Sequence, residues 1–173
     1  WARHPEVLKM YAKHYQTGEM IPQELIDKIE AAGNYGQGFV NTELIAASLL
    51  DMDYHVIENP TIDNPIAFED SAMAKYGLIK EIISRYKSPY FQHIFTSTTG
   101  YSAGYYSYTW AAVLDADAFE LFKIKGLFDK ATATSFRKNI LEKGNTEDPA
   151  VLYKKFRGQE PGIEPLLKNR GLM

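Results

Sequence analysis

The segment at residues 100–110, GYSAGYYSYTW, carries four tyrosines and two glycines. A phenol is neutral at pH 7 and donates a hydrogen bond, so a row of phenols facing a cavity could stabilise a substrate carbonyl or a developing oxyanion. Tyr101, Tyr105 and Tyr108 fall at i, i+4 and i+7 and share one face if the helix begins early, whereas Tyr106, Trp110 and Val113 take another. One face is then core and the other presents hydroxyls. Aromatic stripes at helical spacing are also the ordinary material of cores, so plain packing stands beside the chemical reading. Gly100 and Gly104 add freedom for positive φ and for close approach of a backbone or ligand.

Other constellations compete less well. DMDYH places Asp51, Asp53 and His55 within five residues, with Asp51 and His55 one helical turn apart. The group could ligate zinc or calcium, but no fourth ligand is in view and a helix-end Asp–His pair accounts for it. GNYGQGF (Gly33, Gly36, Gly38) has the wrong spacing for a dinucleotide cradle and no strand before it, so it reads as a junction between helices. There is neither a GxSxG elbow nor an HExxH helix; His4, His14, His55 and His93 stand apart. Lys154, Lys155 and Arg157 read as a solvated helix face.

The elements that must position these groups read as helices. Val7, Leu8, Tyr11 and Tyr15 mark a helix over 5–16, and Pro22 with Gly33 brackets one over 22–32. Leu44, Ile45, Ala47, Leu49, Leu50 and Met52 predict a helix that is apolar on most sides and so buried. ENPTIDNP is a loop; AFEDSAMAKYG and IKEIISRYK are helical and break at Ser88-Pro89. The helix after the tyrosines runs to about Lys125, TSFRKNILEKG makes another ending at Gly144, and Asp148-Pro149 opens one that ends at Gly158. IEPLLKNRG is a last turn or two. Only YFQHIFTSTTGY favours strand, without a hairpin dipeptide. The expected fold is therefore all-α, a single helical domain over 1–173.

Composition bounds the function. Apolar residues at 45% and charged residues at 24% are those of a globular chain, and no apolar run approaches a membrane span. A net charge of −3 disfavours nucleic acid and leaves a small or peptidic partner. With no cysteine, thiolate metal sites, disulfides and cysteine nucleophiles are excluded. A cysteine-free chain fits the cytoplasm, which is the expected compartment. The opening WARHPEVLKMYAKHY has neither an initiator Met nor a signal pattern, and the expectation is a piece of a longer protein.

SPYFQHIF and the tyrosine segment, together with HPEVLKMYAKHYQTGE, LIAASLLDMDYH, GNTEDPAVLYKKFRG and LLKNRGLM, resemble the C-terminal part of the bacterial peptidyl-dipeptidases. These dipeptidyl carboxypeptidases belong to the thimet oligopeptidase family of zinc metallopeptidases, and the resemblance covers essentially the whole chain. It implies a mostly helical peptidase with two lobes around a channel, which activates water with zinc and releases dipeptides from short peptides. In that family HExxH and a later glutamate hold the metal; all should lie before Trp1, so this chain is expected to bind no zinc and to be inactive alone. The family motif falls on Tyr101 and Tyr108 as catalytic hydroxyls, on His93 as a substrate contact and, more weakly, on Tyr105, with Gly100 and Gly104 in the binding loop. That loop reads TSTTG here, where the family has a shorter run of glycines. Tyr106 and Trp110 are expected to pack.

The expected partners are short peptides and the remainder of the same catalytic domain, with self-association through apolar surface that the remainder would cover. Arg85 and the cluster near residue 155 are candidates to receive a substrate's C-terminal carboxylate. The alternative from another class is a free-standing helical module that grips peptides or a protein in a tyrosine-lined groove.

Overall fold

A computed structural model describes residues 1–58 and 61–173. Asn59 and Pro60, part of the expected ENPTIDNP loop, lie outside the described residues. The α-helices are α1 (Pro5–Tyr11), α2 (Gln23–Asn34), α3 (Gln37–Val56), α4 (Pro65–Lys75), α5 (Ser107–Lys125), α6 (Lys130–Phe136), α7 (Pro149–Arg157) and α8 (Glu164–Asn169). No strand occurs among the described residues; one isolated antiparallel bridge joins Lys13 to Met20. The fold is all-α, as expected from sequence. The chain divides into two compact units, one of residues 1–35 with 114–173 and one of residues 36–113.

The unit of residues 36–113 carries the tyrosines. Its core is Ala46, Ala47 and Leu50 from α3, Ala72 and Met73 from α4, and Phe91, Ile94 and Tyr105. Three alanines at that contact let the two helix backbones approach closely. The expectation that α3 is buried on most sides is corrected: Ile45 and Met52 are exposed, while Asn41, Ser48 and Asp51 are buried. Asn64 caps α4, its side-chain oxygen accepting from the amides of Ile66 and Ala67 at 3.1 Å each. Gly77, at φ +72°, ends it, with the Leu78 amide bonded back to the Met73 carbonyl. The helix expected over IKEIISRYK does not form. Ile79, Ile82 and Ile83 are β-branched, and the segment instead runs irregularly along α3, the Arg85 amide donating to the Glu43 carbonyl at 3.2 Å. YFQHIF forms no strand either; it makes two short 3-10 turns, Ser88–Tyr90 and Gln92–Ile94.

In the other unit, α1 stops at Tyr11 rather than at residue 16. His14 Nδ1 accepts from the amides of Gln16 and Thr17, Gly18 adopts φ +73°, and the chain turns back so that His14 bonds Glu19. Trp1 packs edge-on against Phe119 and Phe122, at 4.5 and 4.6 Å. Asp148 caps α7, accepting from the Ala150 amide at 2.8 Å, and Gly158 closes it at φ +82°. α6 continues into a π-helical turn, Arg137–Leu141. The basic face is only partly solvated: Lys154 and Lys155 pair with Glu160 and Glu147, but Arg157 turns inward onto Asp117, its Nε 2.9 Å from Oδ2.

Candidate functional site

The tyrosine segment reaches its arrangement by a different route from the one its spacing suggests. α5 begins only at Ser107, and residues 98–106 are turns, so Tyr101, Tyr105 and Tyr108 do not share a helical face. The Gly104 amide donates to the Tyr101 carbonyl at 2.8 Å, folding the chain back and laying Tyr101 over Tyr108. Their rings stack with centroids 5.9 Å apart and their hydroxyls are hydrogen-bonded to each other. Neither Gly100 nor Gly104 has a positive φ; the left-handed residue is Ala103, at φ +51°. For an alanine that conformation costs about 1–2 kcal/mol. The two glycines act through close approach instead: a Cβ on Gly104 would stand 3.2 Å from the Tyr101 carbonyl oxygen, and one on Gly100 3.3 Å from Ser97 Cβ.

A cleft of about 300 Å³ opens beside the pair, lined by Leu44, Arg85, Tyr86, His93, Tyr105 and Tyr108. His93 stands edge-on to Tyr101 at 5.6 Å and to Tyr86 at 4.8 Å. Tyr101 and Tyr108 are 38% and 49% exposed, open to a ligand, whereas Tyr105 is 3% exposed and packs against Phe91. Tyr106 and Trp110, expected to pack, are half exposed instead. Tyr106 immediately precedes α5 and Trp110 lies in its first turn; Val113, assigned to the same face, is buried.

The electrostatics favour the protonated form of Tyr108 and Tyr105. The hydrogen bond with Tyr101 is the main cause that raises the Tyr108 hydroxyl above its ordinary value of 10.0, with burial adding and Arg85 opposing. Burial is the main cause that raises Tyr105, again opposed by Arg85. Arg85 is held from behind by Glu43, Nη1 to Oε1 3.7 Å. The cleft thus combines neutral donors with one guanidinium among its lining residues, a set that suits a carbonyl or oxyanion together with a carboxylate.

The acidic pair of DMDYH does not build a metal site. Asp53 accepts from the Tyr76 hydroxyl at 2.8 Å and pairs with Lys75, while Asp51 points the other way, fully buried. Asp51 accepts the amides of Ala103 and Tyr105 at 3.1 and 2.8 Å. Among the described residues no three His, Asp or Glu converge as metal ligands. The residues present therefore do not fit a zinc ion. Sequence reasoning placed His93, Tyr101, Tyr105, Tyr108, Gly100 and Gly104 in one neighbourhood, and the structure gathers them there. It missed Tyr86, and it saw in Asp51 and His55 a local pair without their hold on the tyrosine loop. The shared helical turn was the only signal available for that.

The model of peptidase family M3 matches residues 1–172. The dipeptidyl carboxypeptidase of Salmonella typhimurium is 40% identical over 99% of this chain and 25% of its own length. Oligopeptidase A of Escherichia coli is 39% identical over 99% of the chain and 25% of its own length. The probable cytosolic oligopeptidase A of Arabidopsis thaliana is 37% identical over 100% and 25%. The chain spans about a quarter of the length of these curated relatives. With a family model matched over nearly every residue, the chain belongs to peptidase family M3.

Proposed function

We propose that this chain is the C-terminal portion of a zinc peptidase that cuts short peptides and releases C-terminal dipeptides, and that it supplies one wall of the substrate channel. The observation that carries this reading is Tyr108, stacked on Tyr101, lining one cleft together with Arg85. Tyr108, with Tyr101 behind it, donates to the oxyanion that develops on the scissile carbonyl. A phenol held neutral does this without bringing a negative charge to the site. His93 contacts the substrate, Tyr105 forms the rigid floor, and Gly100 and Gly104 let the loop run close to the peptide backbone. Arg85, paired with Glu43 at 3.7 Å, receives the terminal carboxylate, and a cation in the cleft lining favours peptides that end there. Both compact units belong on this reading to one catalytic domain, since the family match crosses them without a break. The zinc is held by residues outside these 173, and the isolated chain is inactive.

The names of the relatives, dipeptidyl carboxypeptidase and oligopeptidase A, support a peptidase over a free-standing binding module. The name of the Arabidopsis thaliana relative, a probable cytosolic oligopeptidase A, favours a cytoplasmic setting. Among the described residues no helix is long and apolar enough to cross a membrane. The test is Tyr108→Phe in the full-length protein. Loss of one oxyanion donor is expected to lower kcat roughly a hundredfold or more. Zinc content by atomic absorption should match the parent. Turnover unchanged from the parent would overturn the assignment.

A further inference from the structure

Asp51 lies in the C-terminal half of α3, fully buried, and both of its carboxylate oxygens are directed at the tyrosine loop. Oδ1 accepts from the Ala103 amide at 3.1 Å and Oδ2 from the Tyr105 amide at 2.8 Å. One turn further along α3, His55 Nδ1 lies 3.0 Å from Asp51 Oδ1 and 2.8 Å from the Asp51 carbonyl. Both are acceptors, so Nδ1 carries a proton, and the other ring nitrogen, Nε2, is hydrogen-bonded to Ser102 Oγ at 3.0 Å. The Ser102 hydroxyl is shared with the Ile94 carbonyl at 3.3 Å, directly after His93 in the chain. One turn of α3 therefore ties down Ser102, Ala103 and Tyr105, and reaches the strip that carries His93. The order Asp51–His55–Ser102 is that of a hydrolase triad, but the carboxylate is already engaged by two loop amides and Ser102 does not line the cleft.

We propose that Asp51, acting through the loop amides and through His55 and Ser102, is the positioning residue of this site: it sets where Tyr101 and Tyr108 present their hydroxyls. A carboxylate suits the task because the loop offers it two N–H groups and a carboxylate accepts on both oxygens. An amide in its place would turn an NH2 group toward one of those N–H groups and leave a buried donor unpaired. The left-handed Ala103 gives independent support. A non-glycine residue persists in that region only where its surroundings over-determine it, and the bond from its own amide to Asp51 does so. The kinetic consequence rests on the phenol-donor reading above; the structural consequence does not.

The test uses Asp51→Asn and Ser102→Ala in the full-length, zinc-loaded protein. Hydrogen exchange read by mass spectrometry should accelerate about tenfold or more in peptides covering residues 101–106 of Asp51→Asn, with the α3 and α4 peptides unchanged. On a short peptide kcat should fall roughly a hundredfold, the size of effect expected when reacting groups are misplaced by about an ångström. KM should stay within about threefold, because the loss falls on the transition state. Ser102→Ala keeps the carboxylate and should move both readouts the same way by less. Loop exchange identical to the parent in Asp51→Asn overturns the proposal, as does exchange accelerated throughout α3 and α4, which marks a purely structural role. A loosened loop with kcat unchanged also overturns it, provided Tyr108→Phe has lost turnover. If Tyr108→Phe keeps its turnover, the phenol-donor reading fails instead, and the loop-exchange result still stands or falls by itself. Should Asp51→Asn not fold, Ser102→Ala decides, and parent-like exchange and kcat in that variant overturn the proposal.

Discussion

At the scale of single residues the site depends on a hydrogen bond between two like groups. Tyr101 and Tyr108 stack and share a proton-bearing contact, and that bond is the first cause of the raised Tyr108 hydroxyl. The sign follows from which form the bond favours: a raised phenol stays protonated, and so remains a donor, above its ordinary 10.0. Tyr101→Phe removes the partner oxygen without removing the ring. Tyr108 should then ionise at lower pH than in the parent, nearer its ordinary value. Titration of 13Cζ-labelled tyrosine, with Tyr108→Phe identifying the resonance, reads the shift directly. An ionisation that stays put or moves upward would show that burial, not Tyr101, governs this hydroxyl.

At the scale of elements, the chain writes its helix ends plainly and its tertiary anchors hardly at all. Asp148, Pro149 and Gly158 mark α7 because cap chemistry is local, and Gly77 and Gly18 stand where the chain reverses. Spacing puts Tyr101 and Tyr108 on one helical face, whereas the structure stacks them through a turn ahead of the helix, which spacing does not reveal. The run at 79–87 has a helical pattern yet is irregular, and one of its amides, that of Arg85, bonds to α3, a partner distant in sequence. Arg157 shows the same limit. On the sequence it belongs to a basic face, but in the fold it lies over Asp117, which also accepts from the Tyr153 hydroxyl at 2.6 Å. That contact fastens α7 to the second half of α5, and all three groups are largely buried. Asp117→Ala would leave a buried guanidinium unpaired, which typically costs about 3–5 kcal/mol. Urea unfolding should show the midpoint lowered accordingly; a midpoint within error of the parent would mean that Arg157 finds water or another acceptor.

For the whole molecule, membership of peptidase family M3 raises the question of which residues hold the metal that the proposed activity requires. Zinc in a peptidase takes three protein ligands and an open position, and among the described residues no three His, Asp or Glu converge in that way. The nearest approach to a set here is Asp51 with His55, one helical turn apart. Their lone pairs and protons are already committed to Ala103, Tyr105 and Ser102. Asp53, the remaining carboxylate of that group, is held by Tyr76 and Lys75. Recruiting Asp51 or His55 to a metal would break their hydrogen bonds to the tyrosine loop. Residues 1–173 alone, dialysed against a small excess of zinc and freed of loosely bound ion, should therefore retain well under one equivalent and hydrolyse no peptide. One tightly held zinc per chain, with hydrogen exchange of the 101–106 segment unchanged, would mean that these residues carry a metal site of their own and would overturn the division of labour argued here.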